Sequence, residues 1–477
     1  MTRVATPVNF SLNLAEAAGP RASQVSRALI EAMAGGQISD GDRLPSTRTL
    51  ALTFGLARSA VVSAYEELIA AGFLVARPGG HTFVEHGARA AALAGALGAS
   101  LPPPAARQPG RASRIAYDLR PGLADTELIS VRDWTRSMRL AAQPARTGDT
   151  GDPMPPSHED LRRLLSEHLR RARALAADPA DVFLFPSVTA ALAAVAVVCD
   201  LTGGQVAFED PGYTKARLAL GGVGTRIRAV AVDEDGIRAQ DLRAADRGVY
   251  VTPAHQFPLG GRMPAHRRAG LLAWAESSGA LVLEDDYDGE FRYGVPPLTP
   301  LRSMPAGAGR VVYFGTSAKV LSPALRLSWA VVPARYRDGM RQHLQRSGES
   351  FSGVSAALLA AYISTGALTR HQARAMRTYS ARQARFVAAC REMIPGVRPL
   401  GIEAGLHVVL TFRARIDDVA AAERLAGSGL ACTPLSAYYA EPFSAGRTGL
   451  VCGYSRLTET SARAAATVIA RAVTGLT

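Results

Sequence analysis

Apolar residues recur at helical spacing through the first part of the chain and then give way to two short β-like runs. Val25, Leu29 and Met33 share one helical face, and Ser46 and Gly55 are residue types that begin and end helices. The predicted elements are helices at residues 20–33, 46–54 and 58–71 and a hairpin at residues 73–84. Three helices followed by a hairpin predict a mostly α-helical winged helix-turn-helix domain over residues 1–85.

From residue 116 onward, short β-like runs alternate with longer helical runs. The strand candidates lie at residues 182–185, 206–208, 228–232, 248–252, 280–283 and 311–314. Helical periodicity indicates a basic amphipathic helix over residues 161–175 and an apolar helix over residues 189–199, and most of the strand candidates are separated by helical stretches. This alternation predicts an α/β domain with a mostly parallel central sheet over residues 116–477.

Residues 86–115 separate these two regions and are rich in Ala, Gly and Pro, with four arginines and no acidic residue between 86 and 114. Such a composition is typical of a partly stiff, exposed tether. We therefore predict a linker, and the alternative is that its arginines also contact DNA phosphates.

Composition narrows the class of protein. A chain of 477 residues with 48% hydrophobic and 20% charged residues is globular and long enough for two or three domains. The net charge of +13 favours a polyanionic partner, although an arginine-rich genome would give part of the same bias. The longest apolar run, residues 190–199, is too short to cross a membrane, and the four cysteines lack metal-ligand spacing. We expect a cytoplasmic protein without a metal site.

Lys319 is unusual because only two of the 54 basic residues are lysines, the other being Lys215. It lies on a Gly-Thr-Ser turn directly after the apolar run at residues 311–314. A lysine amine can lose its proton and form a Schiff base, whereas a guanidinium stays protonated. A stray surface lysine is the alternative interpretation.

Other polar residues also follow predicted strands, and the carboxyl ends of parallel strands gather ligands. Asp285 and Tyr287 follow one strand, Tyr213 follows another, and Lys319 follows a third. A carboxylate, a phenol, an aromatic face and a lysine are what a pyridine aldehyde phosphate requires. The alternatives are that Asp285 and Asp286 form a solvated turn and that Tyr213 belongs to the core. We expect His255 to pack beside the site without acting as a base.

The first domain resembles the DNA-binding domain of the GntR superfamily over about residues 21–84. The motifs that carry this resemblance are Arg43-Leu-Pro-Ser-Thr-Arg48, Tyr65-Glu-Glu-Leu68 and Gly72-Phe-Leu74. The DNA-contacting candidates are Arg43, Ser46, Arg48, Arg58, Ser59, Gly79 and Gly80, with the two glycines at the wing tip. Residues 1–85 hold seven arginines and seven acidic residues, so a protein–protein module of the same shape is the alternative.

The remainder, from about residue 117 to residue 473, resembles the fold-type I aminotransferase domain. The motifs are Glu209-Asp-Pro-Gly-Tyr213, His255-Gln-Phe-Pro258, Glu284-Asp-Asp-Tyr-Asp-Gly-Glu-Phe-Arg-Tyr293 and Lys319 with Arg326. Joined to the first domain, this is similar to a MocR-type (GabR-like) transcriptional regulator. The resemblance implies a pyridoxal 5′-phosphate (PLP)-dependent transferase-like fold with a smaller α+β C-terminal subdomain.

The resemblance also assigns roles to individual residues. Lys319 matches the Schiff-base lysine, Asp285 the partner of the pyridine nitrogen, Tyr287 the phenol near the ring hydroxyl and Tyr213 the stacking aromatic. The phosphate contacts would come from Thr316, Arg326, Ser187, Val188 and Thr189. Lys215 and Arg447 are candidates for binding an effector. The chain departs from the family where Pro186-Ser-Val-Thr189 lacks the usual glycine and where Ala318 replaces a serine.

The expected function is therefore a homodimeric regulator that binds double-stranded DNA and carries PLP as an imine on Lys319. Its large domain would sense an amino compound or PLP itself. Two alternatives stay open. One is a working aminotransferase with an appended DNA-binding domain, and the other is a regulator that has lost the cofactor.

Overall fold

The computed structural model describes residues 10–14, 19–99, 115–146, 156–348, 351–441 and 446–474. The chain forms two compact units, Met1–Arg111 and Ala112–Thr477.

The first unit is a winged helix-turn-helix, as the pattern predicts. Its helices are α1 (Arg21–Ala34), α2 (Thr47–Thr53), α3 (Arg58–Ala70) and α4 (Ala88–Ala99), and its strands are β1 (Arg43–Leu44), β2 (Leu74–Arg77) and β3 (His81–Val84). β3 pairs antiparallel with both β1 and β2. The core lies between α1, α3 and the hairpin, where Leu29, Val61 and Leu68 are buried.

A helix occupies the beginning of the predicted linker. Ala88 and Ala92 of α4 are buried in the same core as α1, and Asp40 caps α4 by accepting hydrogen bonds from the backbone N–H groups of Gly87 and Arg89. Alanine is the strongest helix former, so an alanine-rich stretch that looks like a tether also forms a helix where one face finds a core. Residues 100–114 lie outside the described part of the chain.

The second unit contains twelve α-helices within its described residues, besides short 3-10 turns. They are α5 (Val131–Arg146), α6 (Pro156–Arg173), α7 (Val188–Val198), α8 (Thr214–Gly222), α9 (Ala265–Ser278), α10 (Gly307–Arg310), α11 (Ser317–Val320), α12 (Arg337–Ser347), α13 (Gly353–Ser364), α14 (Ala367–Met393), α15 (Asp418–Gly427) and α16 (Ala462–Val473).

An eight-stranded sheet forms the centre of this unit, in the order β5-β12-β11-β10-β9-β6-β7-β8. Its strands are β5 (Val182–Phe185), β6 (Gln205–Asp210), β7 (Arg226–Asp233), β8 (Gly236–Ile237), β9 (Asp246–Val251), β10 (Leu281–Asp285), β11 (Val311–Thr316) and β12 (Ser328–Val331). Six of the strands run in one direction, and β12 and β8 run in the opposite direction. The predicted, mostly parallel sheet is therefore confirmed, and its central strands are buried on both faces, whereas β7 is partly exposed.

A smaller antiparallel sheet follows along the chain, in the order β13-β14-β17-β16. Its strands are β13 (Arg398–Leu400), β14 (His407–Thr411), β16 (Thr433–Pro434) and β17 (Gly449–Gly453), and the pair β4 (Tyr117–Asp118) with β15 (Leu430–Ala431) lies beside them. Helices α14 and α16 share one buried core with these strands. This is the α+β C-terminal subdomain that the resemblance implied.

No helix in the described ranges is long and apolar enough to span a membrane.

Candidate cofactor pocket and nucleic-acid interface

The candidate pocket residues lie at one edge of the central sheet. β5, β6, β10 and β11 all point the same way, so their carboxyl ends share that edge. Ser187 follows β5, Tyr213 follows β6, Asp285 ends β10 and Lys319 follows β11. Local apolar runs bounded by polar turns thus bring together residues that are far apart in sequence.

Lys319 lies on the one-turn helix α11, and its turn is fixed by Thr316. The Thr316 side-chain oxygen accepts hydrogen bonds from the Ala318 N–H at 3.2 Å and from the Ser328 hydroxyl at 3.0 Å. The Lys319 amine donates to the carbonyl oxygen of Gly122. A side chain at Gly122, whose φ is +72°, would collide with that amine. Lys319 is therefore no stray surface lysine.

The surroundings of Lys319 shift the pKa of its amine in opposite directions. Burial lowers the pKa of the Lys319 amine, the carboxylates of Asp288 and Asp285 raise it, and the charge of Lys215 lowers it further. The net shift is downward, which favours the neutral amine that a Schiff base requires.

Asp285 is buried at the end of β10, with 3% of its surface exposed. Its Oδ2 accepts a hydrogen bond of 2.6 Å from the Tyr250 hydroxyl, whereas its Oδ1 has no partner. Burial is the largest of the causes that raise the pKa of Asp285 to about 7. A buried acceptor without a partner is costly, and here it points to a donor that a ligand would supply.

Asp286, the next residue, is buried and holds the loop after β10 in place. Arg173 at the end of α6 binds it through two hydrogen bonds, Nε to Oδ2 at 2.6 Å and one terminal nitrogen to Oδ1 at 2.8 Å. The Tyr313 hydroxyl donates to Oδ2 at 2.6 Å, and Arg173 also donates to the Gly289 carbonyl. The interpretation of Asp285 and Asp286 as a solvated turn is therefore wrong.

Tyr287 belongs to a buried cluster with His255, Asp288 and His407. The Tyr287 hydroxyl and Asp288 Oδ2 lie 2.9 and 3.1 Å from His255 Nδ1. Burial and then the charge of Asp288 raise the pKa of Tyr287 well above its ordinary value. His407 donates from Nε2 to the Pro258 carbonyl, and burial lowers its pKa to about 3, so it is neutral. The phenol is thus held by an imidazole and a carboxylate.

His255, Asp288 and His407 are also the one group of potential metal ligands in the described residues, all three buried, with the ligand atoms that they offer within 4.8 Å of one another. The spacing in the sequence predicts no such group. His255 Nδ1 and Asp288 Oδ2 are already engaged with each other. The structure therefore uses these two atoms in a hydrogen-bonded network.

Aromatic rings form one wall of the pocket. The ring of Phe257 meets those of Tyr213, Tyr287 and Tyr438 edge to face, with centroids 5.8, 5.6 and 5.0 Å apart. Tyr213 is partly buried and also packs against the apolar core that includes Phe208. Burial and then the charge of Asp285 raise the pKa of Tyr213 to about 12, so its phenol stays neutral.

The predicted phosphate end contains donors without protein partners. Ser187 caps α7 by accepting a hydrogen bond of 3.1 Å from the Ala190 N–H. Among the described residues, the N–H groups of Val188 and Thr189 have no acceptor, as is usual in the first turn of a helix. The absence of the usual glycine from Pro186-Ser-Val-Thr189 therefore leaves the backbone N–H groups of this turn in place. Arg326 is exposed, has a φ of +49°, and makes no hydrogen bond from its side chain within the described part.

The two effector candidates differ in position. Lys215 lies in the first turn of α8, is exposed, and is close enough to affect the charge of Lys319. Arg447 is exposed, and its backbone N–H donates to the Tyr439 hydroxyl at 3.1 Å. The charge interaction places Lys215 near the Lys319 amine, whereas no contact within the described residues ties the Arg447 guanidinium to the pocket.

The DNA-contacting candidates are mostly exposed on the first unit. Ser46 caps α2, Arg48 lies in its first turn, Arg58 and Ser59 begin α3, and Arg43 lies on β1. Gly79 and Gly80 form the wing turn with φ of +94° and +77°, a conformation that favours glycine. Glu67 accepts a hydrogen bond from Ser26 on α1 at 2.8 Å, which keeps one acidic side chain away from this set.

Four pocket residues had no role in the sequence-based prediction: Gly122, Tyr250, Asp288 and His407. Each acts through a contact between segments that are distant along the chain. Gly122, for example, is 197 residues from Lys319. A buried tyrosine within an apolar strand carries no local sign that its hydroxyl serves a carboxylate, so periodicity could not have found it.

Residues 21–84 match the family described as bacterial regulatory proteins of the gntR family. The chain is also 30% identical over 447 residues to the probable rhizopine catabolism regulatory protein MocR of Rhizobium meliloti, covering 88% of this chain and 87% of that protein. It is 30% identical over 454 residues to the pyridoxine biosynthesis transcriptional regulator PdxR of Corynebacterium glutamicum, covering 92% and 93%.

The second unit has the aminotransferase fold. A multiple substrate aminotransferase from Thermococcus profundus aligns with a TM-score of 0.68 at 22% identity, covering 76% of this chain and 92% of that one. A GntR-type DNA-binding domain joined to an aminotransferase-like domain defines a class of transcriptional regulators. This chain belongs to that class as a member of the MocR-type regulators of the GntR superfamily.

Proposed function

We propose that this regulator carries PLP covalently on Lys319 and that an amino compound, or PLP itself, controls its binding to DNA. One observation carries the proposal. Asp285, buried at the end of β10, leaves Oδ1 without a donor, and its charge interacts with the amine of the partly buried Lys319. A protonated pyridine nitrogen is the donor that would satisfy this oxygen.

The residues present fit PLP. Lys319 would bind the aldehyde carbon, Asp285 the ring nitrogen and Tyr213 the ring face. Arg326, Ser187 and the first turn of α7 would bind the phosphate. The Thr316 oxygen already accepts two hydrogen bonds, so Thr316 would contribute only a donated hydrogen bond from its hydroxyl. When bound, PLP supplies an electrophilic carbon that condenses reversibly with primary amines.

The chain's own groups determine which amines could compete for that carbon. The Gly122 carbonyl accepts a hydrogen bond from the Lys319 amine, and the carboxylates of Asp288 and Asp285 attract positive charge at this position, which partly offsets the lowering of the Lys319 pKa by burial. Lys215, the exposed cation beside them, is suited to bind the carboxylate of an incoming amino compound. We therefore propose an effector that carries both an amine and an acidic group.

Absorbance of the purified protein tests the proposal. Wild type that has been incubated with PLP should absorb as an imine, and borohydride reduction should fix the cofactor to the peptide that contains Lys319. Lys319→Ala should lose the band, whereas Lys215→Ala, which removes the only other lysine, should keep it. A wild-type protein that neither absorbs nor takes up added PLP contradicts the proposal and leaves a regulator without the cofactor.

An active aminotransferase is the second candidate, and the fold alone does not exclude it. The test is incubation with an amino acid and a keto acid over many equivalents of protein. We expect at most a single turnover, because the proposed role of the pocket is sensing. Sustained turnover that disappears in Lys319→Ala would assign the protein to the enzymes.

We also propose that the regulator binds DNA as a homodimer. Helix-turn-helix dimers read two half-sites that are separated by about one helical turn of DNA, or multiples of it. Light scattering of the full chain, alone and on its operator, should give two copies per DNA. A complex in which one copy of the protein protects both half-sites would rule out the homodimer.

A further inference from the structure

Two cysteines lie close together in the C-terminal sheet: Cys452 on β17, and Cys432 directly before β16. β16 pairs antiparallel with β17, with Thr433 opposite Val451 and Pro434 opposite Leu450. One step further along the same register sets Cys432 opposite Cys452. Residues opposite each other on antiparallel strands have Cα atoms about 4.5–5.5 Å apart and side chains on one face, and a disulfide requires about 4.4–6.8 Å.

The two thiols also interact, and they differ in access to solvent. Cys452 is fully buried, whereas Cys432 is partly exposed. The hydrogen bond to Cys432 and then burial raise the pKa of the Cys452 thiol well above its ordinary value. Cys452 therefore keeps its proton and donates it toward the Cys432 sulfur. In this arrangement Cys432 is the thiol that an oxidant can reach. Cys452, directly beside it, is the thiol that would resolve the oxidised Cys432 into a disulfide.

We propose that Cys432 and Cys452 form a reversible disulfide, a modification site that responds to peroxide. In the first step, the Cys432 sulfur attacks hydrogen peroxide. The peroxide O–O bond breaks, Cys432 becomes a sulfenic acid, and one water leaves. In the second step, the Cys452 sulfur displaces the sulfenic hydroxyl, which leaves as a second water with the Cys452 proton. Two thiols are oxidised and one peroxide is reduced.

The cysteine pair lies next to the pocket, so its oxidation would alter the position of pocket residues. Tyr438 is close enough to Cys432 for their charges to interact, and its ring contacts Phe257 in the aromatic wall. The Tyr438 carbonyl accepts hydrogen bonds from the Gly212 N–H at 3.1 Å and from Arg217 of α8 at 2.8 Å. A disulfide at the start of β16 therefore constrains the segment on which the loop of Tyr213 and the helix of Lys215 rest.

Cys390 on α14 is the competing partner. It is buried in the same core, its charge affects Cys452, and burial raises its own pKa to about 12. It lies on a helix rather than opposite either cysteine on a strand, and it is fully buried. The register therefore favours Cys432 over Cys390 as the partner of Cys452.

Stoichiometric hydrogen peroxide added to the reduced full-length protein tests the proposal. We expect the count of free thiols to fall from four to two, peptide mapping to give one Cys432–Cys452 crosslink, and dithiothreitol to restore both thiols. Cys199→Ser, which changes a cysteine in a different core, should behave like wild type. Peroxide should form no such crosslink in Cys432→Ser, so this variant should not lose two free thiols together.

Three results would overturn the proposal: four thiols that persist in the treated wild type, a crosslink between Cys390 and Cys452, or irreversible oxidation of Cys432 alone. All three are read on the wild type, so the conclusion does not depend on whether a variant folds. They are also independent of PLP, so a failure here leaves the proposed function intact.

Discussion

Buried polar atoms without partners are rare in folded proteins, and each has to be explained. In the large domain, Asp285 Oδ1, Asp288 Oδ1 and His255 Nε2 are three of these atoms and belong to the pocket or to the cluster beside it, while others, such as Ser137 Oγ and Trp274 Nε1, lie elsewhere in the domain. An unpaired buried acceptor costs about 1–3 kcal/mol. A fold that keeps several of them together sacrifices stability for binding, which is the physical argument for a ligand at this edge of the sheet.

Asp285→Asn is expected to flatten the pH dependence of stability in cofactor-free protein. Burial raises the pKa of Asp285 from 3.8 to about 7, so the folded state keeps a proton that the unfolded chain releases. The free energy of unfolding should therefore fall as pH rises through this window, with a share from Asp285 of at most about 4 kcal/mol. Urea unfolding below and above the window measures the slope.

The exposed Asp338 on α12 supplies the matched control, because Asp338→Asn removes the same charge without burial. It should leave the slope unchanged. An Asp285→Asn protein with the slope of the wild type would show that Asp285 is ionised across the whole range.

Arg58→Ala should weaken specific DNA binding by about 1–3 kcal/mol and lower the salt dependence by about one phosphate equivalent. Arg58 begins α3, the expected recognition helix, and its side chain is exposed. Fluorescence anisotropy on a fragment that the protein selects from random DNA measures both effects. Arg27→Ala removes the same charge from the exposed face of α1, and an equal loss there would place the recognition surface elsewhere.

At the scale of secondary-structure elements, the pocket depends on how the loop after β10 is attached. Arg173 projects from the end of α6 and binds Asp286 and the Gly289 carbonyl, while Tyr313 of β11 binds the same carboxylate. Asp285 precedes this anchor and Tyr287 follows it. A helix and two strands thus fix the direction in which the pocket side chains point.

Arg173→Met should therefore destabilise the large domain by about 3–5 kcal/mol, because it leaves a buried carboxylate without its cation. Arg163→Met on the same helix breaks only exposed ion pairs and should cost less than about 1 kcal/mol. Chemical unfolding of the two variants, followed by tryptophan fluorescence, makes the comparison. Equal losses would mean that the loop is held by packing and not by the ion pair.

The sequence predicts these elements better than it predicts the contacts between them. The strands before Asp285 and Lys319 are short apolar runs that end in polar turns, so local pattern was sufficient to find them. Arg173 and Asp286 are 113 residues apart, and His407 meets Pro258 across 149 residues. Such pairs depend on how the chain folds back on itself, and nothing in the local spacing distinguishes a buried anchor from an exposed arginine.

In the whole molecule, the net positive charge and the proposed roles are divided unequally between the two units. The net charge of +13 does not come from residues 1–85, whose arginines and acidic residues balance. DNA recognition must then depend on where individual arginines such as Arg48 and Arg58 lie on the first unit. The second unit has its own cores and its own candidate pocket. Under the proposed function, a ligand bound to the second unit changes the free energy of DNA binding by the first, which is an allosteric coupling between two sites.

Lys319→Ala is the variant that tests this coupling. If PLP and the amine effector act through Lys319, adding PLP to wild type should change operator affinity by roughly 5–150-fold, the usual range for allosteric coupling. Lys319→Ala should bind the operator with one affinity whether or not PLP is present, because the first unit, which contacts DNA, is unaltered. Lys215→Ala should keep the response to PLP and lose the response to an acidic amine. Operator titrations with each variant measure all three, and a Lys319→Ala protein that still responds to PLP would show that the switch does not act through this residue.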